Sequence, residues 1–283
     1  MKFKGISTVR KAFNLLWQAL RKFNDDDGFF LSSGIAFNIL ISLVPFIMLL
    51  LALVGTYLYK DQGVLNRFLA YSRDVAPTLG PKVMKTFTEV IQSRHLVGIL
   101  GCVGLLWIST RVFRSLRVAL NIVFRAQERR GMLRGIIDDL LMIVLVGILL
   151  LVSMILGPVL IFLQNYQGRI PVAIGPTLQW TLNYLLPFIL TCCMFFLIYK
   201  VIPNKKVPFT SAFHAALFAG LLWELAKHLF AWYVLHLARY SLYYGSLSTL
   251  AIFVLWVYYS STILVVGGEF AYFLEEDRQR PMA

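Results

Sequence analysis

The sequence predicts an all-α integral membrane protein: six transmembrane helices, an amphipathic N-terminal interfacial helix, and short amphipathic helices in the loop after the first span. Three observations carry this. Hydrophobic residues make up 59% of the 283 and charged residues 14%, with a mean hydropathy of +0.73, outside the range of an ordinary soluble domain. Six windows reach the roughly 20 apolar residues that a helix needs to cross a bilayer. They lie at about 34–58, 96–113, 136–163, 177–199, 210–237 and 247–274. Finally, Lys and Arg alternate between dense and sparse from one connection to the next.

That alternation sets an expected topology. Six basic residues precede the first span, seven lie from Arg111 to Arg134, three from Lys200 to Lys206, and two after Glu276. With six helices these eighteen fall on one side, against eight on the other, six of them in the loop 59–95 and the rest at Arg169 and Arg239. Positive residues collect on the cytoplasmic side, so both termini are expected in the cytoplasm and the protein in the bacterial inner membrane. The pI near 9.8 and net charge of +13 are then topogenic, and no nucleic-acid partner is expected. The expected organisation is a cytoplasmic amphipathic segment (1–28), a transmembrane domain (29–274) and a cytoplasmic tail (275–283).

Taken in order, Ile6, Val9, Phe13, Leu16, Leu20 and Phe23 recur at three and four residues, with Arg10, Lys11, Arg21 and Lys22 at other positions. This fits a helix in the membrane interface with its basic groups near anionic headgroups, or one packed on the bundle. No cleavable signal peptide is evident. Asn24-Asp25-Asp26-Asp27-Gly28 breaks the chain and supplies carboxylates suited to the dipole of the first span, in preference to a metal site. The second window is the shortest and most broken, with Arg111, Arg114 and Arg117 where it leaves the membrane. In the loop 59–95, two apolar stripes flank a Pro-containing break and read as two amphipathic helices on the outer interface. Breakers at Pro45, Gly157-Pro158 and Pro187 free backbone groups that neighbouring helices or water must satisfy. Residues 42–47 and 184–189 resemble each other and would run in opposite directions, as in inverted-repeat transporters, but the match is too short to establish a repeat. Cys102, Cys192 and Cys193 lie in apolar runs, lack zinc-ligand spacing and read as small buried hydrophobes.

The chemistry concentrates in the fifth window. Glu224, Lys227 and His228 stand three and four residues apart, on nearly one helix face, and Gly220, one turn earlier, admits a close helix neighbour. Lys227 is within reach of polar groups in the sixth span such as Ser260, Ser261 or Thr262. Glu269 follows Gly267-Gly268 near the cytoplasmic end of that span, too far for direct contact with Glu224. Charged side chains at the bilayer centre cost roughly 2.5–3.5 kcal/mol each, and twenty apolar residues at ~0.4 kcal/mol supply about 8 kcal/mol, so an internally paired Glu and Lys is tolerated as packing glue. The alternative is a polar cavity or translocation path. Arg111, Arg114 and Arg117 read as topology determinants and headgroup contacts, with a phosphate site as the sharper version.

Several stretches together resemble the YihY/BrkB family of bacterial membrane proteins. They are Ala36-Phe37 through Ser42-Leu43-Val44-Pro45, Trp223-Glu224 through Lys227, Phe230 and Tyr233, and Tyr244-Gly245-Ser246-Leu247 through Trp256-Val257-Tyr258 to Gly267-Gly268-Glu269. Ala119-Leu120-Asn121 and Gly157-Pro158 support them, and Gly268 departs from the alanine often found before the glutamate. The resemblance implies six spans in the cytoplasmic membrane and no cofactor. Members have been labelled ribonucleases, virulence factors or proteins of unknown function, and a link to lipid transport has been suggested for some.

The residues themselves carry no HExxH, CxxC, P-loop or GxSxG pattern, and His95, His214, His228 and His236 are dispersed, so a ribonuclease is the remote reading. The leading expectation is a non-enzymatic protein that helps a lipid or amphiphile cross or leave the membrane. Glu224, Lys227, His228, Glu269, Pro45, Tyr244 and Gly245 line its path, and Arg111, Arg114 and Arg117 contact headgroups, including those of anionic phospholipid. The alternative is a scaffold that binds envelope-protein partners through the loop 59–95.

Overall fold

The computed structural model describes residues 3–60, 93–126, 184–236 and 246–279, with isolated positions between 137 and 151. Among the described residues there are six helices and no strand: α1 (Phe3–Asp25), α2 (Gly28–Lys60), α3 (Arg94–Val123), α4 (Leu186–Val201), α5 (Phe209–His236) and α6 (Ser246–Gln279). Four of them, α2, α3, α5 and α6, are long and apolar enough to cross a membrane, and α4 is a shorter apolar helix. Phe37, Val44, Ile99, Val103 and Trp107 are each more than 60% exposed, a surface suited to lipid and costly in water. The described residues are thus those of a membrane protein and are helical throughout apart from short turns. Most of the window 136–163 and of the loop 59–95 lies outside the described residues, as do Gly157-Pro158, Arg169, Tyr244 and Gly245.

The chain divides into two compact units, Asn38–Val112 and the remainder, Met1–Phe37 with Phe113–Ala283. In the first unit, α2 and α3 pack through small residues. A Cβ added at Gly101 would lie 2.9 Å from the Leu49 backbone nitrogen and 3.2 Å from the Pro45 carbonyl oxygen, one at Gly104 3.2 Å from Pro45 Cβ, and one at Gly98 3.3 Å from Ala52 Cβ. Backbones that close have no slack for a methyl group, as at other small-residue membrane interfaces. Gly101→Ala is therefore expected to cost about 1–3 kcal/mol, read as a lower unfolding midpoint of the purified protein in detergent.

In the second unit one end of every element meets: the C-terminal ends of α1, α3, α4 and α6 and the N-terminal ends of α2 and α5. The α1–α2 elbow turns on Asp27, whose φ of 52° is left-handed and whose carbonyl accepts hydrogen bonds from the Phe30 and Leu31 amides at 2.8 and 3.0 Å. The Phe23 ring occupies the space a side chain on Gly28 would need. Where α3 ends, the Ala126 amide donates to the Asn121 carbonyl at 2.8 Å and the Arg125 amide to Ile122 at 3.0 Å. With Arg125 at φ 49°, this is the paired 6→1 and 5→2 pattern that satisfies a helix's last carbonyls. The α4–α5 turn docks through the Asn204 amide on Asn121 Oδ1, 2.8 Å, and through Lys200 Nζ on the Val207 carbonyl, 2.5 Å. In α5, Ala212, Ala215, Ala216 and Ala219 are fully covered, so a stripe of small residues brings its neighbours close.

Two expectations, on the second window and on the cysteines, need correction. The second window is not broken: α3 runs through 30 residues, with Arg111, Arg114 and Arg117 inside it, because arginine is a good helix former and nothing stops the helix before Arg125. Pro187 stands at the start of α4, after Leu185 in the right-handed helical region, and the residues one turn before it lie outside the described residues. Pro45 lies inside α2. Cys102 and Cys193 are exposed rather than buried.

Candidate functional site

Glu224, Lys227 and His228 do come together on one face of α5. Lys227 Nζ lies 2.8 Å from Glu224 Oε1, and the two side chains remain 40% and 29% exposed. They and His228 line a groove of about 680 Å3 against the start of α4, whose other walls include Tyr184, Pro187, Phe188 and Leu221. Gly220 admits α4 as its close neighbour: a Cβ there would lie 2.7 Å from Cys192 Sγ and 3.4 Å from the Phe188 ring. Lys227 does not reach α6. Ser260, Ser261 and Thr262 donate back to the carbonyls of Trp256, Val257 and Tyr258 at 2.7, 2.9 and 3.1 Å, while Lys227 finds its carboxylate three residues away on its own helix.

The opposite face of α5 is apolar. Residues half a turn from Glu224, at ~100° per residue, include Leu222, Ala226, Leu229 and Tyr233, and these line a second groove of about 540 Å3 against α6. Trp223 closes the space between helices, with its ring centroid 5.3 Å from that of Trp256, which is 4.7 Å from that of Phe230. Among the described residues, α5 thus separates a groove containing charges from one without them.

Glu269 belongs to a different cluster, and its partner is Lys22, so of the two readings of α1, interfacial or packed on the bundle, this lysine follows the second. Glu269 is wholly buried and Lys22 is 5% exposed. Lys22 Nζ donates to Glu269 Oε2 at 2.8 Å, to the Val123 carbonyl at 2.8 Å and to Asp26 Oδ2 at 2.5 Å, and lies 4.5 Å from the centre of the Tyr272 ring. Asp26 thereby serves this ion pair rather than the dipole of α2. The preceding glycines complete a five-helix junction. A Cβ on Gly267 would overlap the Tyr199 hydroxyl and come within 2.9 Å of Ala219 Cβ, and one on Gly268 would lie 3.0 Å from Leu120 Cδ2 and 3.3 Å from Val123 Cγ1. Tyr199 donates to the Leu264 carbonyl at 2.9 Å. Nearby, Lys205 pairs with the buried Glu275 at 3.0 Å. Lys22 stands at the edge of the apolar stripe of α1, where a lysine reads as solvated, and its carboxylate lies 247 residues away. The one sequence signal was an unexplained Glu after two glycines.

The remaining candidates scatter. Arg111 stacks on Trp107, its Cζ 4.9 Å from the ring centre. Arg111 and Arg114 are exposed and Arg117 is half-buried. At 100° per residue their three-residue spacing winds them round α3, so Arg111 and Arg117 lie about 120° apart. Pro45 packs against Gly101 and Gly104 of α3. His214 and His236 each engage a carbonyl one turn back, at 2.6 and 3.0 Å. Among the described residues, no three His, Cys, Asp or Glu side chains gather closely enough to hold a metal ion. Asp138, Asp139 and Glu128 lie outside them.

Comparison with known proteins places these features in a family. The model of the virulence factor BrkB family matches residues 19–283. The chain belongs to the BrkB family. This BrkB-family chain is 29% identical to a UPF0761 membrane protein of Pelodictyon phaeoclathratiforme, over 95% of its own length and 61% of the relative's. It is 25% identical to one from Pseudoalteromonas atlantica, over 88% and 82%, and 28% identical to UPF0761 membrane protein lpg0643 of Legionella pneumophila, over 92% and 62%. It spans about three-fifths of the length of the first and third of these relatives. No solved structure matches. The stretches that carry the family resemblance now have physical roles: Ala119-Leu120-Asn121 meets Gly268 and Asn204, Trp223, Phe230 and Trp256 fill the α5–α6 contact, and Gly267-Gly268-Glu269 is the five-helix junction.

Proposed function

We propose that this BrkB-family protein is a non-enzymatic, multi-pass protein of the bacterial cytoplasmic membrane that assists the movement of a lipid or other amphiphile across or out of that membrane. The observation that carries this reading is the α4–α5 groove, about 680 Å3 in volume, a size typical of small-molecule sites. Its apolar walls hold a partly exposed Glu224–Lys227 ion pair and His228. Charges on a membrane helix are rare, face protein or a polar cavity, and mark transport paths elsewhere. An amphiphile suits a groove that offers both kinds of surface.

The topology that goes with this reading has six spans and both termini in the cytoplasm. It takes the window 136–163 and the residues preceding α4 as completing two further spans. The meeting of one end each of α1 to α6 in a single unit supports it, because these are the ends that the basic residues mark as cytoplasmic. The N-terminal helix then serves twice. Ala19, Lys22 and Phe23 pack inward, while Trp17 and Leu20, 65% and 44% exposed, suit the interface. Arg111 and Arg114, exposed on α3, remain the candidates for contact with anionic headgroups.

Reconstitution tests the reading. Proteoliposomes containing the wild-type chain are expected to move fluorescent phospholipid between leaflets faster than protein-free vesicles. Lys227→Met and Glu224→Gln are each expected to slow this at least about tenfold, the loss of one charge-assisted contact, while protein insertion and thermal midpoint stay unchanged. Equal rates in wild type, variants and empty vesicles would remove the assignment.

A further inference from the structure

The charges in the α4–α5 groove select a class of headgroup, and this inference rests on the groove being a lipid site. Glu224 and Lys227 bring one negative and one positive group within 2.8 Å of each other, so among its described walls the groove carries no net charge when His228 is neutral. The pair is far from saturated. The ammonium has three donors and spends one on Glu224, while the carboxylate accepts that bond on Oε1 alone. Among the described residues, Glu224 Oε2, the other donors of Lys227 and the imidazole of His228 make no hydrogen bond. These three unspent groups open into a volume whose other walls, among the described residues, are Tyr184, Leu185, Pro187, Phe188, Leu221 and Ala231.

A ligand with a single negative charge gains Lys227 but meets the carboxylate beside it. A ligand with a single positive charge gains Glu224 and meets the lysine. A zwitterion with phosphate and primary ammonium on a short link satisfies both. Its phosphate accepts from Lys227 and His228, and its ammonium donates to Glu224 Oε2, with the internal ion pair left intact or exchanged. A primary ammonium has three donors for that carboxylate, whereas a trimethylated one has none. Partners on both sides also leave no buried group uncompensated, which is where polar sites gain their discrimination. We infer that the α4–α5 groove binds a zwitterionic phosphoethanolamine headgroup, held between Glu224 on one side and Lys227 with His228 on the other, in preference to an anionic phosphoglycerol headgroup.

Binding tests this on the purified full chain in detergent, by native mass spectrometry or by tryptophan fluorescence, with dioctanoyl phosphatidylethanolamine, dioctanoyl phosphatidylglycerol and dioctanoyl phosphatidylcholine as probes. The wild type is expected to hold the ethanolamine lipid about tenfold more tightly than either other lipid. Glu224→Gln leaves a net positive groove and is expected to reverse the order of ethanolamine and glycerol lipids. The charge-exchanged double variant Glu224→Lys/Lys227→Glu keeps the net charge at zero and is expected to keep the wild-type order, so a lost preference in the single variant cannot be put down to misfolding. Wild type that favours the glycerol lipid, or an order unmoved by Glu224→Gln, overturns the inference. So does competition by free phosphoethanolamine at the concentration at which the lipid competes, which would make the ligand a soluble one. Lipid movement without headgroup preference defeats this inference and leaves the transport reading standing. Headgroup preference without lipid movement does the reverse.

Discussion

Lys22→Met lowers the stability of the folded protein by about 3–5 kcal/mol, the usual penalty for removing one member of a buried ion pair. The loss arises less from the missing attraction than from what is left behind. Glu269 is wholly enclosed, and its second oxygen, Oε1, already has no hydrogen-bond partner among the described residues. Without Lys22 the carboxylate keeps no cation within 4 Å among them, and the Val123 carbonyl loses its donor as well. The measurement is the thermal midpoint of the purified protein in detergent, with Arg21→Met, an exposed neighbour, as the control expected to stay within about 0.5 kcal/mol. Combining Lys22→Met with Glu269→Leu recovers much of the loss, because an apolar pair of similar volume avoids the desolvation of both charges. A Lys22→Met variant as mild as Arg21→Met would show that the pair is not what holds α1 to α6.

Gly267→Ala is the second large effect, expected at roughly 3 kcal/mol or more. The added methyl would occupy the position of the Tyr199 hydroxyl and press on Ala219. Overpacking alone costs about 1–3 kcal/mol, and displacing Tyr199 strands a buried hydroxyl that now donates to the Leu264 carbonyl, adding about 1–3 kcal/mol. Gly268→Ala is the informative comparison. Its nearest neighbours are the terminal carbons of Leu120 and Val123, which can turn aside, so the change stays within about 1 kcal/mol. That difference also accounts for the alanine expected at this position from the family resemblance. Equal midpoints for the two variants would contradict the packing described for the junction.

Helix type and membrane character were legible because both are local. A run of apolar residues long enough to span a bilayer leaves few alternatives, and α2, α5 and α6 begin and end within six residues of the expected windows. The windows failed where a boundary depends on something other than hydropathy. α3 continues through its arginines because a helix stops at a turn it can form, and that turn is made at Arg125. The face shared by Glu224, Lys227 and His228 was legible from helix periodicity. The partner of Lys227 was not, since a carboxylate three residues away is already in place before any other helix approaches.

The largest miss, Lys22, has the same explanation from the other side. A lysine beside an apolar stripe snorkels to water by default, and it is buried here because three acceptors from the α1–α2 turn, α3 and α6 converge on it. The alanine stripe of α5 and the glycines of α3 are equally silent alone, as small residues permit close approach without naming the neighbour. Composition and periodicity therefore sufficed for an all-helical membrane protein, for the family, and for the polar face of α5, each of which follows from residues adjacent along one chain segment. The Lys22–Glu269 pair, the junction at Gly267-Gly268 and the two grooves either side of α5 required the folded chain. Each depends on which helices come within a few ångströms of one another, and van der Waals contact and charge pairing act only over that distance.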